Sequence, residues 1–111
     1  MESEQLLQQK CVMWFNNTYP QYRGLLAYNL NNSIGGYRGK QNKWMGIIKG
    51  RSDLVLYFGG KATMIELKTL TGTQKPAQVE WQLLVESQGF RYCVVRTLEE
   101  FKELVKNIVP L

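Results

Sequence analysis

The chain of 111 residues contains no histidine and only two cysteines. Without histidine, Ser-His-Asp and Cys-His hydrolysis are excluded, as is every step that uses an imidazole as acid or base. Cys11 and Cys93 stand far apart in sequence and cannot supply the four nitrogen or sulfur ligands of a structural zinc site. Any metal must then be held by oxygen, which favours Mg2+, Mn2+ or Ca2+. No apolar run approaches the ~20 residues of a membrane span, so no membrane partner is expected. The N-terminus, Met1-Glu2-Ser3-Glu4, is acidic and lacks the basic-then-apolar layout of a signal peptide. A cytoplasmic location is the default expectation.

Acid is also absent from a long internal stretch. Between Gln5 and Ser52 there is no Asp or Glu, whereas Lys10, Arg23, Arg38, Lys40, Lys43, Lys49 and Arg51 all fall there. The net charge is +5, and the last five of those cations lie between positions 38 and 51, just ahead of Asp53. So one-sided a block points to a polyanion partner, nucleic acid first. A solvated basic loop is the alternative. At 44% apolar and 21% charged residues, the composition fits one globular domain over 1–111.

The most informative segment follows the basic block. Residues 53–58 (Asp-Leu-Val-Leu-Tyr-Phe) and 61–67 (Lys-Ala-Thr-Met-Ile-Glu-Leu) read as strands, and Gly59-Gly60 between them is a two-residue hairpin signal. Under that turn Phe58 pairs with Lys61, Leu56 with Thr63, and Asp53 with Glu66. The two carboxylates then stand opposite each other with Cβ atoms about 4.5–5.5 Å apart, where like charges repel unless a cation lies between them. Lys68, two residues past Glu66, shares its strand face. A divalent ion held by Asp53, Glu66 and the Leu67 backbone carbonyl, with Lys68 directed at the attacking water or the scissile phosphate, would suit phosphodiester hydrolysis. The bland alternative makes Asp53 a turn residue and Glu66–Lys68 an exposed ion pair.

Around this hairpin the order is α-β-β-β-α-β-α. A first helix is expected over 3–16, with Ser3 as N-cap and Leu7, Cys11, Trp14 and Phe15 at helical spacing. Residues 24–30 are a candidate first strand. Residues 31–50, rich in Asn, Gly and Lys, lack periodicity, and a loop of that length is usually functional or mobile. A second helix over 76–88 has Pro76 in its first turn and Gly89 as its stop. Val79, Leu83 and Leu84 form its apolar stripe, with Trp81 and Val85 beside it. Residues 90–96 form a strand, and Thr97 to Glu100 is a capping box before a last helix with Phe101, Leu104, Val105 and Ile108 on one face. The pattern describes a single mixed sheet flanked by helices.

Gly50-Arg51-Ser52-Asp53-Leu54-Val55-Leu56, then Ile65-Glu66-Leu67-Lys68-Thr69, then Gln78 with Trp81, and Gln88-Gly89-Phe90 before Val94-Val95, together resemble the VRR-NUC domain of the PD-(D/E)XK nuclease superfamily. The resemblance covers nearly the whole chain and is to stand-alone members from phages and bacteria. It implies an α/β, restriction-endonuclease-like αβββαβ core with an added C-terminal helix. It also implies that Asp53 and Glu66 bind Mg2+ or Mn2+, that Lys68 is catalytic, and that Gln78 supports the site from the following helix. An acid in the first helix is common in the family, and Glu4 matches it as a further metal ligand. Where the family usually has Pro before the motif Asp, this chain has Ser52.

Arg38, Lys40, Lys43, Lys49, Arg51 and Ser52 are the expected nucleic-acid contacts, giving affinity and salt dependence without sequence choice. Tyr37 and Trp44 can stack on exposed bases or pack internally. The expected function is a metal-dependent, structure-selective DNA endonuclease. The resemblance implies a homodimer acting on branched DNA such as a Holliday junction, in a bacterial or phage-infected cell. Flap or nick processing stays open, as does a non-catalytic nucleic-acid-binding module.

Overall fold

The computed structural model describes residues 2–29, 41, 44–46 and 48–110. Its elements run α1 (Glu4–Thr18), a 3-10 turn (Pro20–Tyr22), β1 (Leu26–Tyr28), β2 (Leu54–Phe58), β3 (Lys61–Leu67), α2 (Pro76–Ser87), β4 (Arg91–Val95) and α3 (Leu98–Ile108). This is the expected α/β order, with one mixed sheet and a closing helix. The strands lie in the order β1-β2-β3-β4. The first three are antiparallel, and β4 joins β3 in parallel.

The hairpin forms as its turn residues dictate. Gly59 and Gly60 have φ of 63° and 76°, the positive values that a twist-matched two-residue turn needs at both centres. The register runs Phe58↔Lys61, Leu56↔Thr63 and Leu54↔Ile65. Alternation then sorts the side chains. Leu54, Leu56, Ile65, Leu67 and Val95 face a core closed by Leu7, Cys11 and Phe15 of α1 and by Phe101, Leu104 and Val105 of α3. Val55, Met64 and Tyr92 face the other way, toward Val85 and Trp81 of α2.

Local chemistry accounts for the helix ends. The Ser3 hydroxyl accepts the Leu6 N–H at 3.1 Å, and the Thr97 hydroxyl accepts the Glu100 N–H at 3.1 Å. Helix α1 runs past its expected end at Asn16, to Thr18. The reason is Tyr19, whose buried ring packs on Phe15 and Trp14 and whose N–H donates to the Phe15 carbonyl. Packing here outweighs the poor helix propensity of the two asparagines. The strand expected over 24–30 is reduced to Leu26–Tyr28, because Leu25 N–H closes a turn onto Tyr22 O at 3.0 Å.

The expected apolar stripe of α2 is rotated. Val79, Leu83 and Leu84 are exposed, and only Val85 is buried, with Trp81 packed beside it. Apolar residues lie all around this helix, so periodicity alone did not fix its orientation. Half-buried Gln78 and Gln82 share the inward face, and polar contacts described next account for their position.

Candidate active site

Asp53 lies one step beyond the last β2–β3 pair, Leu54↔Ile65, so the register carried on by one residue sets it against Glu66. Its backbone carbonyl accepts the Asn29 N–H at 2.9 Å. Its side-chain Oδ2 accepts the Leu67 N–H at 2.7 Å. That N–H points toward β2 but has outrun the strand, and the Asp53 carboxylate replaces the missing ladder partner. Lys68 N–H in turn donates to Val95 O at 3.0 Å. The extended backbone is thereby prolonged to Lys68 and its side chain kept on the Glu66 face.

Glu66 is 1% exposed, a burial that a carboxylate tolerates only with partners. Its Oε1 accepts the Tyr92 hydroxyl and the Gln74 Nε2 at 3.1 Å. The same Gln74 nitrogen donates to Gln82 Oε1 at 2.8 Å, tying the loop before α2 to its buried face. Glu66 Oε2 is buried without a hydrogen-bond partner among the described residues. Burial and the hydrogen bond to Glu66 push the Tyr92 phenol above the ordinary tyrosine range, and the Asp53 charge adds in the same direction.

A cleft of about 150 Å3 is bordered by Glu4, Asp53, Lys68 and Gln78 and by Lys49 and Lys75, whereas Glu66 is buried behind this lining and does not border it. Lys68 is only 3% exposed, so its carbon stem is enclosed. Gln78 Oε1 accepts the Lys75 N–H at 2.8 Å and so caps α2 while bordering the cleft. Gly50 holds the Lys49 side of the cleft against α2: its φ is 94°, and a Cβ there would meet the Ala77 carbonyl oxygen at 2.5 Å. Arg96 Nη1 donates to Thr69 O at 2.7 Å and Gly72 O at 2.6 Å, pinning the turn that follows Lys68.

The expected nucleic-acid residues divide. Lys49 is exposed at the cleft. Arg51 is half-buried, with its guanidinium 5.3 Å from the centre of the Trp81 ring. Ser52, expected at the interface, is 0% exposed and offers nothing to a ligand at the surface; its buried Oγ has no hydrogen-bond partner among the described residues. Arg38, Lys40 and Lys43, with Tyr37, lie outside the described residues. Trp44 is 76% exposed, so internal packing does not hold for it.

The donor chemistry fits an oxygen-bound divalent ion. It offers a buried carboxylate oxygen with no hydrogen-bond partner among the described residues, a second carboxylate across the register, and no histidine. No three acid or thiol side chains among the described residues group tightly enough to hold a metal by themselves. The fitting ion is therefore one that keeps several waters and takes one or two carboxylates, as Mg2+ does.

No protein-family model matches the chain, and no curated protein does. A solved structure named "VRR_NUC domain protein" superposes on all of this chain, and on 91% of its own, with a TM-score of 0.81 at 16% sequence identity. The chain has the VRR-NUC fold. Within that fold, sequence reasoning missed Lys75, Gln74, Gln82 and Tyr92. Gln74 and Lys75 lie between the strand ending at Leu67 and the helix beginning at Pro76, where no periodicity marks a face. Tyr92 carried a signal, since its alternation with Val94 already placed both on one strand face, but the parallel β3–β4 register that brings it to Glu66 is set by no turn. No helix among the described residues is long and apolar enough to cross a membrane.

Proposed function

We propose that the protein is a Mg2+- or Mn2+-dependent DNA endonuclease, with Asp53 and Glu66 as ion ligands and Lys68 as the catalytic amine. The observation that supports this reading is the hairpin register, which ends at Leu54↔Ile65 and, carried on by one residue, opposes the two acids beside a buried lysine, with Glu66 Oε2 lacking a hydrogen-bond partner among the described residues. The VRR-NUC name of the structural neighbour supports a nuclease over the binding-module alternative.

When bound, a divalent ion neutralises charge on the scissile phosphate and lowers the pKa of water. The remaining work falls to the chain. Asp53, fixed by the Leu67 N–H, and Glu66, fixed by Tyr92 and Gln74, hold two anionic ligands in place. A residue's N–H and C=O point to the same side of an extended strand, so the Leu67 carbonyl is directed toward Asp53 and is the third ligand. Glu4, which borders the cleft with Asp53, would be a further ligand. Lys68 presents its ammonium to the phosphate, where developing negative charge is greatest. Gln78 and Lys75 border the same space, and Lys49 supplies a further cation at its rim. Arg51, with Arg38, Lys40 and Lys43, extends this attraction along the DNA backbone.

Branched DNA and a homodimer belong to this reading through the resemblance alone. The test is a cleavage panel of four-way junction, flap, duplex and single-stranded DNA with Mg2+ or Mn2+, run beside Glu66→Ala and Lys68→Ala. The expected result is cutting by the wild type and retained binding without cutting by both variants. Symmetric nicks on the junction, together with a dimer in sedimentation, would support two-fold resolution. Binding without cutting by the wild type under every condition would establish the binding module instead.

A further inference from the structure

A second, larger depression meets the cleft at Asp53. It is a groove of about 790 Å3 between α1 and β1, with Glu4 and Asp53 bordering both spaces. Its size lies within the ~300–1,000 Å3 typical of small-ligand sites. Beyond the two shared acids it is lined by Gln5, Gln8, Gln9, Val12, Met13 and Tyr28. The two spaces differ in charge. Lys49, Lys68 and Lys75 border the cleft, whereas no Lys or Arg borders the groove among the described residues.

We propose that the α1–β1 groove is a subsite for an unpaired nucleobase next to the cleavage point, an inference that rests on the nuclease reading above. A phosphate backbone draws its affinity from Lys and Arg; the described lining of the groove holds none and includes the Glu4 and Asp53 carboxylates, which disfavours phosphate there. A base has no charge to neutralise. Gln5, Gln8 and Gln9 follow one another along α1, and each amide carries both donor and acceptor, the chemistry that reads base edges. Tyr28 is 58% exposed at the end of β1, an edge strand, and pairs with Leu54, the neighbour of Asp53. Its ring is a stacking surface that accepts any base. In a duplex the faces and pairing edges are already occupied, so the base that enters is an unpaired one. The ion site would therefore lie where a cation-lined side for the phosphates meets a side for an opened strand whose described lining carries no cation.

The test measures binding in Ca2+ to a duplex with a short single-stranded extension, to the same duplex with an abasic extension, and to a blunt duplex. Wild type should bind the intact extension roughly tenfold more tightly than the abasic one, the size of one base stack. Tyr28→Ala should abolish that difference while leaving duplex affinity and its salt dependence unchanged. Gln9→Ala should reduce the difference and serves as the second variant should Tyr28→Ala fail to fold. Equal wild-type affinity for intact and abasic extensions would overturn the proposal, as would a folded Tyr28→Ala variant that keeps the difference. Failure of the nuclease reading is read separately, as no cleavage of any of the three oligonucleotides by wild type with Mn2+.

Discussion

The Tyr92 hydroxyl donates to Glu66 Oε1 between the sheet and α2, and the other carboxylate oxygen of Glu66 has no hydrogen-bond partner among the described residues. One residue thus orients another that is proposed to hold the ion. Outer partners of metal ligands commonly contribute 10–100-fold to affinity. Tyr92→Phe removes the donor and keeps the ring. We expect Mn2+ affinity, measured by calorimetric titration, to fall by about tenfold or more, with the fold retained because the aromatic packing survives.

The same contact predicts behaviour in alkali. Burial first, then the hydrogen bond and charge of Glu66, raise the Tyr92 phenol above its unfolded value near 10. The folded state therefore holds the phenolic proton more tightly than the unfolded chain. This contribution is fully present below pH ~10 and is lost as pH rises from there toward the folded pKa. The melting temperature should fall above pH ~10, and Tyr92→Phe should flatten part of that fall relative to wild type.

Gly50 couples the basic side of the cleft to α2. Ala at this position would have to hold a φ of 94° and place a Cβ 2.5 Å from the Ala77 carbonyl oxygen. Gly50→Ala should destabilise by about 2–4 kcal/mol, read by urea denaturation. Because the clash with Ala77 would shift neighbouring Lys49, which borders the cleft, it should also weaken DNA binding more than Lys49→Ala alone.

Cys11 is buried among the α1 core residues, and burial, with a smaller effect from the Glu2 charge, pushes its thiol up to about 12. Thiolate is the reactive form. Iodoacetamide at pH 8 should leave Cys11 unmodified in the native protein and alkylate it after denaturation, as read by peptide mass.

The hairpin was legible because its information is local. Gly59-Gly60 fixes the turn, the turn fixes the register, and the register carries Asp53 to Glu66. Helix α3 was legible because Phe101, Leu104, Val105 and Ile108 mark one face and leave polar residues on the other. Helix α2 was misread because Trp81, Leu83, Leu84 and Val85 surround it. Its inward face is chosen partly by a polar link, Gln74 to Glu66 and Gln82, which no hydrophobic period encodes. Tyr92 and Lys75 reach the site through a parallel pairing and a loop, whose registers depend on tertiary packing. The depth of Ser52 is likewise a property of the packed sheet; its sequence neighbours, Arg51 and Asp53, gave no sign of it.

The central claim is that adjoining strands trap one divalent ion between Asp53 and Glu66. Anomalous scattering from an Mn2+-soaked crystal tests it most directly. The account predicts a peak within coordination distance of the Asp53 carboxylate and Glu66 Oε2, absent from Glu66→Ala crystals. A soaked crystal with no peak there, or with one that persists in Glu66→Ala, would contradict it.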